Sequence, residues 1–239
     1  MEVEVIEEAT SPEPEKAVAL GARNDYYSGN ITDDDFEEVM SAIEGDEIDE
    51  KLYNLLVEEL LQKEHYGPFE HPQIMFHVEG MSRVTMAQIT RHRHMSFDIQ
   101  SMRYVDFEDA DIAVPKSLTD EDHFSRETGL VWEDNEYDPS DALQIFERAV
   151  DNSVTAYNEM VKMGVPREDA RYVLPLGAKV NVTFSGNLRT MLHVANMRGK
   201  ADAQWEVREL TDCVCEHLDD WAPRTMNYFD EKGPFKLGM

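Results

Sequence analysis

Two stretches of this chain are almost free of acid. Residues 81–104 and 171–200 together hold nine of the 22 lysines and arginines but only one of the 50 aspartates and glutamates, Asp98. Buried segments lack acids as a rule, because an ionised acid is buried only at high cost. Burial alone would explain the missing acids, but it would remove arginines too. Instead Arg83, Arg91, Arg93, Arg103, Arg171, Arg189 and Arg198 stand there. The planar guanidinium grips phosphate or carboxylate at two points, so the two stretches point to an anion site.

The rest of the chain carries the charge, and the net value is −28. A field of that sign repels nucleic acid and anionic membranes, while a small anion still answers to its local surroundings. The expected reason for the acidity is solubility in a high-salt cytoplasm, where screening weakens self-repulsion. No apolar run reaches membrane-spanning length, and the first ten residues are acidic, unlike a signal or transit peptide. The expected location is the cytoplasm. Cys213 and Cys215 are two apart in a helical pattern and do not face each other, so they read as structural thiols.

Hydrophobic periodicity gives a mixed chain. Residues 2–8 alternate as a short strand, 15–23 read as a short helix, and 32–43 and 49–64 as helices. Residues 65–71, HYGPFEH, are a loop, and 74–78 a strand. A helix capped by Ser82 is expected through Arg93, then extended chain at 101–105. Residues 106–141 are an acidic excursion with a short strand near 112–114. A long helix opens at Pro139 and closes at Gly164 and Pro166, a short one covers 167–174, 180–185 is a strand, and 188–197 and 203–221 are helices. No repeat or linker breaks the sequence, so one domain over 1–239 is expected, with a short acidic N-terminal segment.

Neither a glycine-rich dinucleotide fingerprint nor a G-x-x-x-x-G-K-[ST] loop is present. Any nucleotide or flavin must be held by side chains and helix N-termini. Arg91, His92 and Arg93 are consecutive and fan around a helix end, which suits a pyrophosphate or a flavin edge. Ser101 and Arg103 point the same way if the segment is extended. Arg189 and His193 share a helix face, and Asn187 stands where its side chain can cap that helix or touch a ligand. The histidine spacings match no zinc pattern, so no metal is expected.

Arg91-His92-Arg93 followed by seven residues and Ser101 resembles the signature of the flavin-dependent thymidylate synthases. HYGPFEH resembles that family's H-x-[ST]-PFEH loop. VPREDARYVLP at 165–175, and NLRTMLHVANMR at 187–198 followed by AQWE, resemble further family segments in family order. The resemblance implies an α+β fold of the thymidylate synthase-complementing type, a single mixed domain with a central, mostly antiparallel sheet flanked by helices. It implies a homotetramer with active sites at subunit interfaces. It implies reductive methylation of dUMP to dTMP, with 5,10-methylenetetrahydrofolate as one-carbon donor and non-covalent FAD reduced by NADPH.

Carried over by position, Arg91, His92, Arg93, Asn187, Arg189 and His193 contact FAD, with His65 and Gly67 beside the flavin or folate. Gln88, Arg91, Ser101, Arg103, Arg171 and Arg198 hold dUMP, and Arg198 faces the uracil ring and favours ionisation at N3. Arg198 and Ser101 are the expected catalytic pair. Gly67 replaces a hydroxyl residue of the family loop. Ile99 stands where relatives have Gln or Glu, so Gln100 is the candidate for that dUMP contact. The absence of a required cysteine fits a family that uses no enzyme thiol. A nucleotide-binding regulator and a metal-dependent phosphohydrolase are the rival classes, separated from this one by dUMP turnover and by metal analysis.

Overall fold

The computed structural model describes residues 1–129 and 139–232. Four strands, β1 (Glu2–Val5), β2 (Gln73–Ser82), β3 (Ser96–Ile99) and β4 (Lys179–Asn187), form one antiparallel sheet in the order β1-β2-β4-β3. The expected α+β class is what the chain adopts. Burial alternates strictly along β4 and nearly so along β2, the mark of strands with one face packed. Phe76 on β2 and Phe97 on β3 both meet Phe184 on β4, with ring centroids 5.3 and 6.1 Å apart.

The described residues gather into two compact units. One comprises Met1–Glu2, Val78–Ile89 and the described part of Asp98–Val182. The other comprises Val3–His77, Thr90–Phe97 and the described part of Thr183–Met239. The second unit, which holds Val3, contains helices α1 (Pro14–Arg23), α2 (Phe36–Val39) and α3 (Ile48–Tyr53). The first holds α4 (Arg83–Ile89), α5 (Glu121–Thr128), α6 (Pro139–Lys162) and α7 (Arg167–Ala170). The second resumes with α8 (Leu188–Arg198), α9 (Trp205–Trp221) and α10 (Pro223–Lys232).

Local chemistry explains most boundaries. Pro14 opens α1, where its missing N–H costs nothing. Gly21 on that helix lies against the His71 ring, and a Cβ there would come within 2.6 Å of it. Glu15 is buried yet satisfied: it accepts from Arg224 Nη1 at 2.7 Å and from Thr225 N at 2.8 Å, which ties α1 to the first turn of α10. Gly164, in the left-handed region at φ 91°, follows the end of α6 as expected.

Several expectations are corrected. The helix expected over 49–64 changes at Asn54 into a π-helix running to Leu61. Leu55 and Leu60, and Leu56 and Leu61, are five apart, and i→i+5 geometry brings each pair onto one buried face. Glu64, at φ 60°, then turns the chain toward His65. The helix expected over 32–43 is only the single turn α2; just before it the Asp34 and Asn30 side chains accept from the backbone N–H groups of Asn30 and Thr32, which competes with helix formation. Ser82 caps α4 through its Oγ, which accepts from Thr85 N at 3.1 Å, but α4 ends at Ile89 rather than Arg93. Residues 101–105 form a turn instead of an extended segment, because Ser101 O accepts from both Tyr104 N and Val105 N. The strand near 112–114 is a single bridge between Ile112 and Ala178. The acidic excursion contains α5, and its residues 130–138 lie outside the described residues. β3 and α10 were not foreseen.

Candidate functional site

In the second unit the site residues come from the turn after Thr90 and from α8. Asn187 caps α8, its side chain accepting from Thr190 N at 2.8 Å, so of its two expected roles the structure displays the capping one. Leu188, Met191, Leu192 and Ala195 bury one face of the helix, which fixes the sides on which Arg189, His193 and Arg198 emerge. In the turn, burial alternates: Arg91 and Arg93 are exposed, and His92 between them is buried. His92 Nε2 meets Arg198 Nε at 2.9 Å. Its ring stands edge-on to His193, with centroids 5.8 Å apart at 74°.

Electrostatics follow from this packing. Burial, then the Arg198 charge, then His193 lower the His92 pKa to about 4, so His92 is neutral at pH 7. His193 is lowered too, by burial first and then by His94, Arg198 and Arg189. Among the described residues Arg91 and Arg93 have no hydrogen-bond or ion-pair partner, in a chain with 50 acids. Arg189 is engaged: it pairs with Glu70 and lies 5.8 Å from the centre of the Tyr66 ring. Together with Glu64, His65, Tyr66, Gly67 and Pro68 it lines a cleft of about 420 Å³. A side chain at Gly67 would meet nothing within 4 Å, so packing does not demand a glycine where the family motif has a hydroxyl.

The first unit holds Gln88, Gln100, Ser101, Arg103 and Arg171. Gln88 is half-buried on α4. The Gln100 side-chain oxygen accepts from Asn181 N at 3.1 Å, and Gln100 N donates to Asn181 O at 2.8 Å, so this residue extends the pairing of β3 with β4. Ser101 Oγ accepts from Arg103 N at 3.3 Å. Because the segment turns, Ser101 and Arg103 do not project side by side. The Arg103 guanidinium reaches Glu168 Oε2 on α7, with both Nε and Nη2 at 2.8 Å. Arg167 on the same helix reaches back to Asp106 at 2.6 Å.

Arg171 behaves differently. Its Nε donates to the Glu168 carbonyl at 3.1 Å, and among the described residues it has no carboxylate partner. It lines a cleft of about 290 Å³ with Arg83, Met102, Tyr172, Leu174 and Leu176. Arg83, whose Nη1 donates to Met102 Sδ at 3.1 Å, was counted among the arginines of the first acid-free stretch but given no site role of its own. Among the described residues no carboxylate lines this cleft. Another cleft in the same unit is lined by Asp106, Glu108, Asp109 and Asp111 and would reject an anion. The Arg83–Arg171 cleft therefore suits a phosphate, with apolar walls for the rest of a ligand.

The unpartnered Arg91 and Arg93 and the neutral His92 and His193 fit a flavin nucleotide: cations for its pyrophosphate, and uncharged rings beside its apolar parts. No helix of the described residues is long and apolar enough to cross a membrane.

Comparison with known proteins agrees with this chemistry. Residues 4–224 match the family described as thymidylate synthase complementing protein. The chain is 43% identical over 242 residues to a flavin-dependent thymidylate synthase of Haloarcula marismortui, covering 97% of this chain and 96% of that one. It is 45% identical over 226 residues to that of Halobacterium salinarum, covering 91% of each. Both relatives come from halophiles, which is consistent with the high-salt reading of the acidic surface. In fold it is similar to a UMP/dUMP methylase, PolB, from Streptomyces cacaoi, with a TM-score of 0.73 at 21% identity over 96% of this chain and 94% of that one. With a family match over nearly its whole length and two relatives above 40% identity, the chain belongs to the thymidylate synthase complementing family, that of the flavin-dependent thymidylate synthases.

Proposed function

We propose that this protein methylates dUMP to dTMP, taking the one-carbon unit from 5,10-methylenetetrahydrofolate and its reducing equivalents from NADPH through FAD. The observation that carries the reading is the treatment of arginine. A chain with 50 acids leaves Arg91, Arg93, Arg83 and Arg171 without a carboxylate partner among the described residues, and three of the four occupy positions matching family motifs.

Arg91, His92, Arg93, Asn187, Arg189 and His193 would hold the flavin, with His65 and Gly67 at the edge of its site. Bound and reduced, the flavin supplies the hydride. Gln88, Arg91, Gln100, Ser101, Arg103 and Arg171 would hold dUMP, and the cleft adds Arg83 to the phosphate end. The Arg198 guanidinium would face the pyrimidine, favour loss of the N3 proton and stabilise the negative charge that develops on the ring. Ser101 would fix the substrate by its hydroxyl, so that orientation is set before reaction. A homotetramer with active sites at subunit interfaces is part of the same proposal.

The test is the visible spectrum of the purified protein, followed by anaerobic NADPH addition with and without dUMP. A yellow protein that bleaches faster with dUMP, and forms dTMP once the folate is added, supports the reading. A protein that stays colourless with FAD in high salt overturns it.

A further inference from the structure

The contact between His92 and Arg198 assigns a role to the histidine beyond touching the flavin. Arginine has only donors, so the 2.9 Å approach of Arg198 Nε to His92 Nε2 needs a lone pair on the imidazole. A doubly protonated imidazole has none. The ring must be neutral, with its proton on Nδ1. Burial and the facing charges agree: Arg198 and His193 are the groups that act on His92, Arg189 and His94 stand around His193, and no carboxylate is among them.

A carboxylate in this place would grip Arg198 more strongly, but it would cancel the charge that a pyrimidine anion needs. A neutral imidazole orients the guanidinium and does not itself neutralise it. The contact also uses Nε, the inner edge of the fork, so the two terminal Nη groups take no part in it.

We propose that His92 is a positioning residue which, as the Nδ1–H tautomer, fixes the Arg198 guanidinium for the reaction without neutralising it. The proposal rests on the assignment of Arg198 to the pyrimidine. It is tested on FAD-loaded enzyme by comparing kcat, KM for dUMP and flavin content in His92→Leu, His92→Gln, Arg198→Ala and the double variant His92→Leu/Arg198→Ala. The expected result is that His92→Leu retains flavin and loses kcat by about ten- to a hundredfold, the range of a charge-assisted hydrogen bond. His92→Gln, with a neutral acceptor, recovers most of that loss. The double variant is no slower than Arg198→Ala, because each change removes the same interaction. Additive losses, or a glutamine variant as slow as leucine, would overturn the proposal.

A second measurement needs no variant. In ¹⁵N-histidine-labelled wild-type enzyme, His92 Nε2 should show the shift of an unprotonated ring nitrogen at pH 7, and a protonated Nε2 would sink the idea. If the wild-type enzyme forms no dTMP, the reaction assigned above fails, and the nitrogen spectrum alone still decides the His92–Arg198 contact.

Discussion

Arg198 and Arg103 stand in the two acid-free stretches, and they are held in opposite ways. Arg198, in the second unit, meets the lone pair of a buried, neutral histidine. Arg103, in the first unit, meets the carboxylate of Glu168, and both members of that pair are about half exposed, at 50% and 47%. In the first arrangement the holder brings no negative charge of its own, and the contact is set by packing. The second cancels the charge and depends on solvent, since an exposed ion pair contributes about 0–1 kcal/mol and weakens with salt. An arginine that acts on a reacting ring needs the first kind of holder. One that meets substrate phosphate on binding can start from the second, because phosphate competes with a carboxylate for the same fork.

The largest expected effect is that of Arg198→Ala, which should keep flavin by its visible spectrum yet lower kcat for dTMP formation about 10²- to 10³-fold. Near-normal turnover would remove the distinction between the two arginines. Next comes the cleft. Arg171→Ala should raise KM for dUMP about ten- to a hundredfold with a smaller change in kcat, and Arg83→Ala should move KM the same way. If steady-state kinetics show KM unchanged in both, the cleft is not the phosphate site.

His92 gives a pH test of the buried arrangement. Its folded pKa, about 4, lies below the ordinary value of 6.5. Between these two values the unfolded chain binds the proton and the folded one does not, so stability falls as pH drops from about 6.5 to 4 and levels off below. The wild type should lose up to about 3 kcal/mol more than His92→Gln across that window, read by urea unfolding. Parallel pH curves for the two proteins would show that His92 is not a neutral buried group. The smallest effect is expected at Glu168. Glu168→Gln frees Arg103 from its competitor and should lower KM for dUMP less than about fivefold in low salt, with the difference vanishing in high KCl. An equal change at both salt concentrations would mean that the pair acts structurally.

How much of this could be read in advance divides along physical lines. The strands β2 and β4 and the helices α6, α8 and α9 were legible because their apolar residues recur with one period over many positions. The caps at Ser82 and Asn187 were legible because a short polar side chain before a helix can accept from the unpaired N–H groups of its first turn, although for Asn187 ligand contact stood beside capping as an alternative. The π-helical turn at Asn54–Leu61 was not, since five-residue spacing also fits an α-helix with a broad face. The turn at Ser101 was missed because two of its bonds are backbone to backbone, and the third, in which Ser101 Oγ accepts from Arg103 N, comes from a hydroxyl that was read as a ligand contact. Arg83 could have been found by asking which arginines of the acid-free stretches were unassigned.

What the sequence determined by itself is the distribution of charge, the order of the elements, and which residue types were kept for an anion. Those properties are local or additive, so they can be counted along the chain. Partnership was decided only by the tertiary structure. Nothing in the spacing says that Arg198 would find a histidine 106 positions away, or that Arg103 would find Glu168 65 positions away. Which arginine meets a carboxylate and which a neutral ring depends on distances of about 3 Å between segments far apart in sequence, and on burial that shifts a proton from one state to another.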